Sequence, residues 1–318
     1  MFHRLPTNVL KSSSLKPRLS LLGQHVRLAG CTPTPTPMPV EELPKLTFPR
    51  SPRPPIPKDP IRTAAALVIG DEVLNGKTQD TNSHYLARRL FEMGIELKRI
   101  EVIPDDEVEI VRAAQTLSAK FDLVVTSGGI GPTHDDITYA SLAKAFNKEL
   151  VMNEEVRRRM AAMSIYKKTW LDQQTDEQRA ARDRMAQFPA GAEVLFVAED
   201  LWVPVVRLEH KVCILPGIPT LYRRMLDSLV EHYLPLPPER PSRYLVFTTL
   251  PESTIAPYLA NLQARVKLEG IRIGSYPTLY KGVTVSMIGA KLSRLQELGE
   301  EVCREVQGTV VEPPTELK

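Results

Sequence analysis

Directly after the apolar run FDLVVT the chain reads Ser127-Gly128-Gly129-Ile130-Gly131-Pro132-Thr133-His134-Asp135-Asp136. Glycine reaches left-handed backbone geometry without steric cost and lets a ligand approach the main chain closely. Successive amides in such a loop point into one concavity and bind an anion, helped by a helix that begins just after it. Ser127 and Thr133 add hydroxyl donors. Asp135 and Asp136 then place two carboxylates beside the expected phosphate. Like charges repel there unless a cation lies between them, so the pair argues for Mg²⁺ or a similar hard divalent ion bridging ligand and loop. His134 can ligate a softer metal, act as an acid or base, or serve as a loop hydrogen-bond donor. The competing reading is a Gly-rich turn in which Asp135 or Asp136 caps the next helix. Two carboxylates behind three glycines exceed what a cap requires.

A second loop follows an earlier apolar run: Gly70-Asp71-Glu72-Val73-Leu74-Asn75-Gly76-Lys77-Thr78-Gln79-Asp80-Thr81-Asn82. Gly-Lys-Thr after a strand suggests a P-loop. Five residues separate the glycines where a P-loop has four, and Asp71 and Glu72 place negative charge where phosphates would lie. The loop reads better as a second acidic edge of the same pocket. Asp71, Glu72 and Asp80 then join Asp135 and Asp136 as metal ligands or bases; alternatively Asp80 or Thr81 caps the following helix. The dinucleotide fingerprint also fails, because His134 stands where the third glycine would be. Hydride transfer is disfavoured.

These loops need a scaffold. Residues 63–69 (TAAALVI) read as a buried parallel strand. A helix is expected over 81–93, closed by Gly94, then a strand over 95–103. A helix over 106–119 turns Val108, Val111, Ala114 and Leu117 inward, a strand spans 121–126, and a helix spans 137–146. Residues 154–188 read as a charged, solvated helical insertion with Arg157-Arg158-Arg159 on its surface. Strands over 193–197, 203–208 and 211–215 lead through Pro216-Gly217-Ile218-Pro219 into a helix over 220–233. Alternating strands and helices imply an α/β fold, a three-layer, mostly parallel sheet covered on both faces. After Pro235, Pro237, Pro238 and Pro241 the order is strand (243–249), helix (252–266), strands (271–276 and 282–288), helix (293–306) and strand (309–312). That β-α-β-β-α-β order is the ferredoxin-like α+β pattern. It carries no acid, base or metal cluster, and its expected role is packing or assembly.

The first forty residues contain no Asp or Glu, but do contain Arg4, Lys11, Lys16, Arg18, Arg27 and Ser12-Ser13-Ser14. Composition favours a mitochondrial transit peptide over 1–35, hence a matrix address, against a plain basic tail and a cytoplasmic one. Prolines crowd residues 36–61, which reads as a semi-rigid linker outside any core. Three widely spaced cysteines, Cys31, Cys213 and Cys303, fit neither a disulfide framework nor a CxxC site, so a reducing compartment is expected. A net charge of +3 without a basic, aromatic-interleaved block gives no nucleic-acid partner. No apolar run approaches the ~20 residues that would cross a bilayer.

Taken together, GDEVLNGKTQDTN, VIPDD, and VVTSGGIGPTHDD followed by LPGIP resemble the molybdopterin-binding (MoaB/Mog-like) domain family. The likeness is strongest to the amino-terminal half of animal FAD synthase and to the related part of the bacterial CinA protein. It covers residues 62–236 and extends through a ferredoxin-like subdomain at 242–318, including IRIGSYP. The resemblance implies an α/β sandwich assembling as a dimer or trimer. Pterin or nucleotide phosphates would bind at Ser127, Gly128, Gly129, Gly131, Thr133 and His134, with Pro216 and Gly217 of LPGIP. In molybdenum-cofactor members this pocket adenylylates molybdopterin or inserts metal, served by acidic residues matching Asp71 and Asp135 or Asp136. In the FAD-synthase-like and CinA-like branch it is associated with metal-dependent hydrolysis of a nucleotide pyrophosphate.

This sequence departs from the family at Ala198-Glu199-Asp200-Leu201-Trp202-Val203-Pro204, where the usual Asn…Gly…Ala-Pro-Gly stretch lines the pocket. A flavin or nucleotide pyrophosphate therefore ranks above a pterin. No adenylyltransferase half is present, so FAD synthesis is not expected. The reading is a hydrolase of FAD, giving FMN and AMP with Mg²⁺, Mn²⁺ or Co²⁺. Asp71, Asp135 and Asp136 would be catalytic, and Asp71, Glu72, Asp80, Asp135 and Asp136 would form the metal set. The alternatives are a molybdopterin-binding or adenylylating protein, and a non-catalytic nucleotide-binding regulator.

Overall fold

The computed structural model describes residues 46–53, 59–164 and 174–312. The expected transit peptide, most of the linker and the middle of the charged insertion lie outside the described residues.

A six-stranded sheet forms the centre. Its order is β2 (Glu96–Ile103), β1 (Thr63–Ile69), β3 (Leu123–Ser127), β8 (Val212–Leu215), β7 (Val205–Leu208), β6 (Glu193–Leu195). The first four run parallel, while β7 and β6 return antiparallel. Side chains alternate across the sheet as a period of two requires. Ala64, Ala66, Leu123, Val125, Cys213 and Leu215 face one core, and Ala65, Leu67, Ile69, Val124, Val212 and Ile214 face the other. On the first face pack α2 (Asn82–Glu92) and α7 (Pro219–His232), through Leu86, Leu90, Met225 and Leu229. On the second pack α3 (Glu107–Lys120) and α4 (Thr138–Ala145), through Ile110, Ala114, Leu117 and Leu142. This is the three-layer α/β fold expected.

Four local readings are corrected. Val108 does not face inward: it is 69% exposed, and α3 buries Ile110, Ala113, Ala114 and Leu117. The helix starts one residue later than expected because Asp106 stays extended and accepts the amides of Val108 and Glu109. A four-residue helix, α1 (Asp71–Leu74), fills the start of the first acidic loop. The charged insertion holds α5 (Glu154–Ser164) and α6 (Asp176–Arg184), and is closed by a short antiparallel pair, β4 (Leu150–Met152) with β5 (Gln187–Pro189). Three-residue strands carry too few alternations to show in a sequence.

The insertion is also not wholly solvated, and the Pro-rich segment is not wholly outside the core. Arg159 is 2% exposed. Its guanidinium lies 3.5 Å from the centroid of the Phe196 ring and 5.0 Å from that of Phe48. It donates to the Pro49 carbonyl at 2.9 Å and to Glu155 at 2.7 Å. Phe48 is itself buried, and the amide of Ser51 reaches the Phe196 carbonyl at 2.9 Å. A guanidinium between two aromatic faces recovers part of what it loses on leaving water, because its charge finds π-density and its Nε and one terminal nitrogen find oxygens, while the other terminal nitrogen is buried without a partner among the described residues. Residues 46–53 are thereby stapled to the domain.

The second sheet has the order β10 (Arg272–Thr278), β11 (Gly282–Gly289), β9 (Ser242–Thr248), β12 (Thr309–Val311), all antiparallel. Two helices, α8 (Glu252–Val266) and α9 (Leu292–Glu305), cover one face through Ile255, Leu262, Leu295 and Val302. The last strand lies beside the first, as the ferredoxin-like order requires. Among the described residues no helix is long and apolar enough to cross a membrane.

The Glu155 carboxylate that pairs with Arg159 makes this contact pH-dependent. Hydrogen bonds from Arg158 and then Arg159 hold the Glu155 carboxyl at about 2, below its ordinary 4.5. A depressed folded value means the stabilisation is complete above pH 4.5 and is lost as pH falls towards 2. Glu155→Gln should therefore melt below the wild type at neutral pH. The gap should close as pH is lowered through that window, read by calorimetry at a series of pH values.

Candidate functional site

The carboxyl ends of β2, β1, β3 and β8 lie side by side, and each delivers one loop to the same edge of the sheet. Ligands gather at this edge of open α/β sheets. The loops carry Asp105, Asp71 with Glu72, the Gly-rich turn, and Pro216-Gly217. Register places a fifth segment beside them: Leu195 pairs with Val205 and Val206 with Ile214, so the 196–204 turn emerges at this edge too. Trp202 of that turn packs into both cores. The divergent stretch Ala198–Pro204 therefore emerges at the same sheet edge as the Gly-rich loop.

The Gly-rich loop is built by close backbone approach. Gly128 has φ +107°, and a Cβ there would overlap the Ile69 carbonyl. Gly129 has φ +64°, and a Cβ there would overlap the Thr138 hydroxyl. Thr138, the first residue of α4, donates through its hydroxyl to the Gly128 carbonyl at 3.0 Å and through its amide to Gly129 at 3.0 Å. A Cβ on Gly217 would lie 3.3 Å from the Gly128 Cα, so the two loops touch. Among the described residues, the amides of Gly129, Ile130, Gly131 and Gly217 have no acceptor. Unengaged amides on two touching loops are the donors that an anion cradle needs.

Asn82 ties the loops together. It is 5% exposed, and its amide nitrogen donates to the Ser127 hydroxyl at 2.9 Å and to the Gly217 carbonyl at 2.8 Å. It lies at the end of GDEVLNGKTQDTN, where a residue at a helix start reads as an ordinary surface position. Its role is visible only once β3 and β8 are adjacent.

The carboxylates divide into two groups. Asp80 accepts the amides of Asn82 and Ser83, both at 3.0 Å, and so caps α2. Asp136 turns back onto its own loop, accepting the Thr133 amide at 2.9 Å and the Thr133 hydroxyl. Both carboxylates are committed to local turns, which departs from the expected metal set. His134 points into solvent, 97% exposed. Among the described residues no three His, Cys, Asp or Glu side chains stand close enough together to form a metal cage.

In the sequence Asp105 is one of two adjacent aspartates of VIPDD; in the structure it is the centre of what remains. Its carboxylate accepts the Asp71 amide at 3.0 Å, fastening the β2 loop to the β1 loop. Burial holds its pKa above the ordinary value; the Asp71 amide opposes this, while the charges of Glu72, Asp71 and Asp135 reinforce it. Four carboxylates thus share one neighbourhood at the rim of an anion cradle. The signal was VIPDD: Asp106 is spent on capping α3, which leaves Asp105 free for the pocket.

Mg²⁺ is commonly held by one or two carboxylates together with substrate phosphates and water. Asp71, Glu72, Asp105 and Asp135 fit a divalent ion in that mode, because a cation there relieves their mutual repulsion. They do not fit an all-protein cage.

Residues 65–236 match the family model described as a probable molybdopterin binding domain. A probable FAD synthase of Caenorhabditis briggsae is 37% identical over 234 residues, which is 69% of this chain and 44% of that protein. The chain therefore spans less than half the length of this relative. A Pyrococcus abyssi protein is 37% identical over 223 residues, 67% of this chain and 84% of its own. A crystal structure of CinA from Thermoplasma acidophilum, a protein titled as having unknown function, is 28% identical with a TM-score of 0.44, covering 54% of this chain and 97% of its own.

Two substitutions test the cradle. Gly128→Ala forces both the overlap with Ile69 and an unfavourable φ, and should cost at least about 2 kcal/mol in urea unfolding. Asn82→Ala removes two buried hydrogen bonds and should cost on the order of 1–3 kcal/mol. It should also loosen phosphate binding; unchanged stability together with unchanged pyrophosphate affinity would remove the loop-tying role.

Proposed function

Because the chain belongs to the probable molybdopterin binding domain family, we propose that its carboxyl-edge pocket hydrolyses a nucleotide pyrophosphate, FAD foremost, to FMN and AMP. One observation carries the reading. The unengaged amides of Gly129, Ile130, Gly131 and Gly217 lie at the same sheet edge as the carboxylates around Asp105. A pyrophosphate offers charge for the amides and oxygen ligands for a cation held by the acids. A relative named as an FAD synthase supports the choice of flavin nucleotide.

The roles follow from position. The loop amides hold one phosphate through oriented dipoles that need no reorganisation as charge develops. Ser127, tied to Asn82, fixes the loop. One or two of Asp71, Glu72 and Asp135, together with the substrate's phosphate oxygens, would hold the divalent ion. When bound, that ion neutralises phosphate charge and lowers the pKa of an attacking water. Asp105, raised above the ordinary carboxylate range, is the residue suited to accept a proton from that water. Thr133 and Asp136 keep the turn closed. The leader's composition supports a mitochondrial setting for this activity.

Purified protein should convert FAD to FMN and AMP with Mg²⁺, Mn²⁺ or Co²⁺, followed by chromatography. Asp105→Asn should lower turnover by about a hundredfold or more, in line with loss of a general base, while leaving the fold intact by circular dichroism. No FMN with any of the three metals sinks the hydrolase reading. Tighter equilibrium binding of molybdopterin than of FAD would return the pocket to pterin chemistry.

A further inference from the structure

A second charged surface lies away from the carboxyl edge. Between the α2–β2 side of the central sheet and the antiparallel sheet runs a cleft of about 1250 Å³. Arg62, Arg88 and Arg99 line it from the α/β domain, and Arg240 and Arg243 from the connection between the sheets. Among the described residues none of these five guanidiniums forms an ion pair. Of the three acids lining the cleft, Glu96 is shared by Lys98 and Arg272 and Glu92 is held by Arg89, which leaves Glu239.

The walls are fixed. The Arg272–Glu96 pair joins the two sheets across the cleft. Arg243 lies over the Phe91 ring at 4.5 Å from its centroid. At Gly94, whose φ is +81°, a Cβ would lie 2.6 Å from the Glu239 carbonyl, so the connection is seated directly on the turn after α2. Among the described residues, folding thus brings five guanidiniums without ion pairs to one cleft, against a single lining carboxylate without an ion pair, Glu239. Guanidinium forks present paired N–H donors that match phosphate oxygens. The half-exposed Ile100 and the rim Pro238 add an apolar surface beside them.

We propose that this cleft binds a small ligand carrying two or more linked phosphate groups, such as a nucleoside diphosphate, at a site separate from the carboxyl-edge pocket. Five charges exceed what a single phosphate needs. The volume passes the range of about 300–1,000 Å³ usual for ligand clefts, leaving room for a nucleoside. The proposal does not rest on the hydrolase reading.

Calorimetric titration of the full chain tests it, with ADP, inorganic pyrophosphate and AMP as separate ligands. ADP and pyrophosphate should show a saturable event at the cleft, and AMP should bind there at least about tenfold more weakly. Pyrophosphate matching ADP would identify the phosphates alone as the ligand; a clear preference for ADP would add the nucleoside. The double variant Arg88→Ala with Arg240→Ala should lose that event by about a hundredfold, since a hydrogen bond to a charged group is worth about tenfold or more. Gly129→Ala, which disturbs the carboxyl-edge loop, should leave it in place. Both arginines are exposed, so an unchanged melting temperature confirms that the variant is folded. Full retention of ADP and pyrophosphate binding in the double variant overturns the proposal. So does tighter binding of a short oligoadenylate than of ADP, which would make the cleft a polynucleotide surface.

Discussion

The carboxyl edge depends on how closely three stretches of backbone meet. Gly128 lies against the Ile69 carbonyl, and Gly217 lies against Gly128. Any side chain at Gly128 would drive β3 from β1 at the point where both strands release their loops. The contact therefore does two things. It brings the amides of two loops into one concavity, and it leaves them unable to find carbonyl partners of their own. Asn82 locks the result, because a single amide group spans Ser127 and Gly217 where two backbones have already come too close for a larger bridge. The cradle is thus a consequence of packing at the sheet edge rather than of the loop's own conformation.

The same edge holds a cost that the fold tolerates. Asp105 is partly buried among Asp71, Glu72 and Asp135, and its carboxyl is held above the ordinary range. A group that served stability alone would be neutralised by an arginine, as Glu155 is by Arg158 and Arg159. Here only an amide of Asp71 answers it. Uncompensated like charges concentrated beside an anion cradle are the arrangement expected where function, and not the fold, selects the residues. The metal reading is narrowed by this comparison. Asp80 and Asp136 are bound into turns and contribute geometry; Asp135, whose carboxyl is held below its ordinary range by the Thr133 side chain and its own amide, and Asp71, Glu72 and Asp105 contribute charge.

Much of this architecture was legible from residue order. Buried parallel strands announce themselves as short apolar runs, and TAAALVI and FDLVVT did so because both faces of the sheet are covered. Gly128 and Gly129 were legible because few other residues could occupy those backbones. What escaped was relational. Asp105 and Asp106 are indistinguishable in VIPDD until the helix start is fixed and one of them becomes a cap. Arg159 looks solvated within a run of three arginines, since nothing local says that Phe48, more than a hundred residues earlier, will lie across it. Asn82 and the β4–β5 pair failed for the same reason: their partners are distant in sequence and near only after the sheet order is set.

The two anionic-ligand surfaces share one strand, which limits how they can influence each other. β2 presents Lys98 and Arg99 to the cleft and ends just before Asp105. Six residues of extended chain separate Arg99 from Asp105, about 20 Å at ~3.3 Å per residue. Exposed charges that far apart are screened at physiological salt, where the Debye length is about 8 Å. A phosphate in the cleft therefore cannot tune the acidic cluster through space to any useful degree. Coupling would have to pass through β2 itself. That strand is the sheet's edge, paired only with β1 and slipped in register between Ala64 and Ala65. An edge strand has one neighbour to move against, so a shift of β2 would carry Asp105, and the Asp71 amide it holds, relative to a Gly-rich loop that Ile69, Thr138 and Asn82 keep fixed.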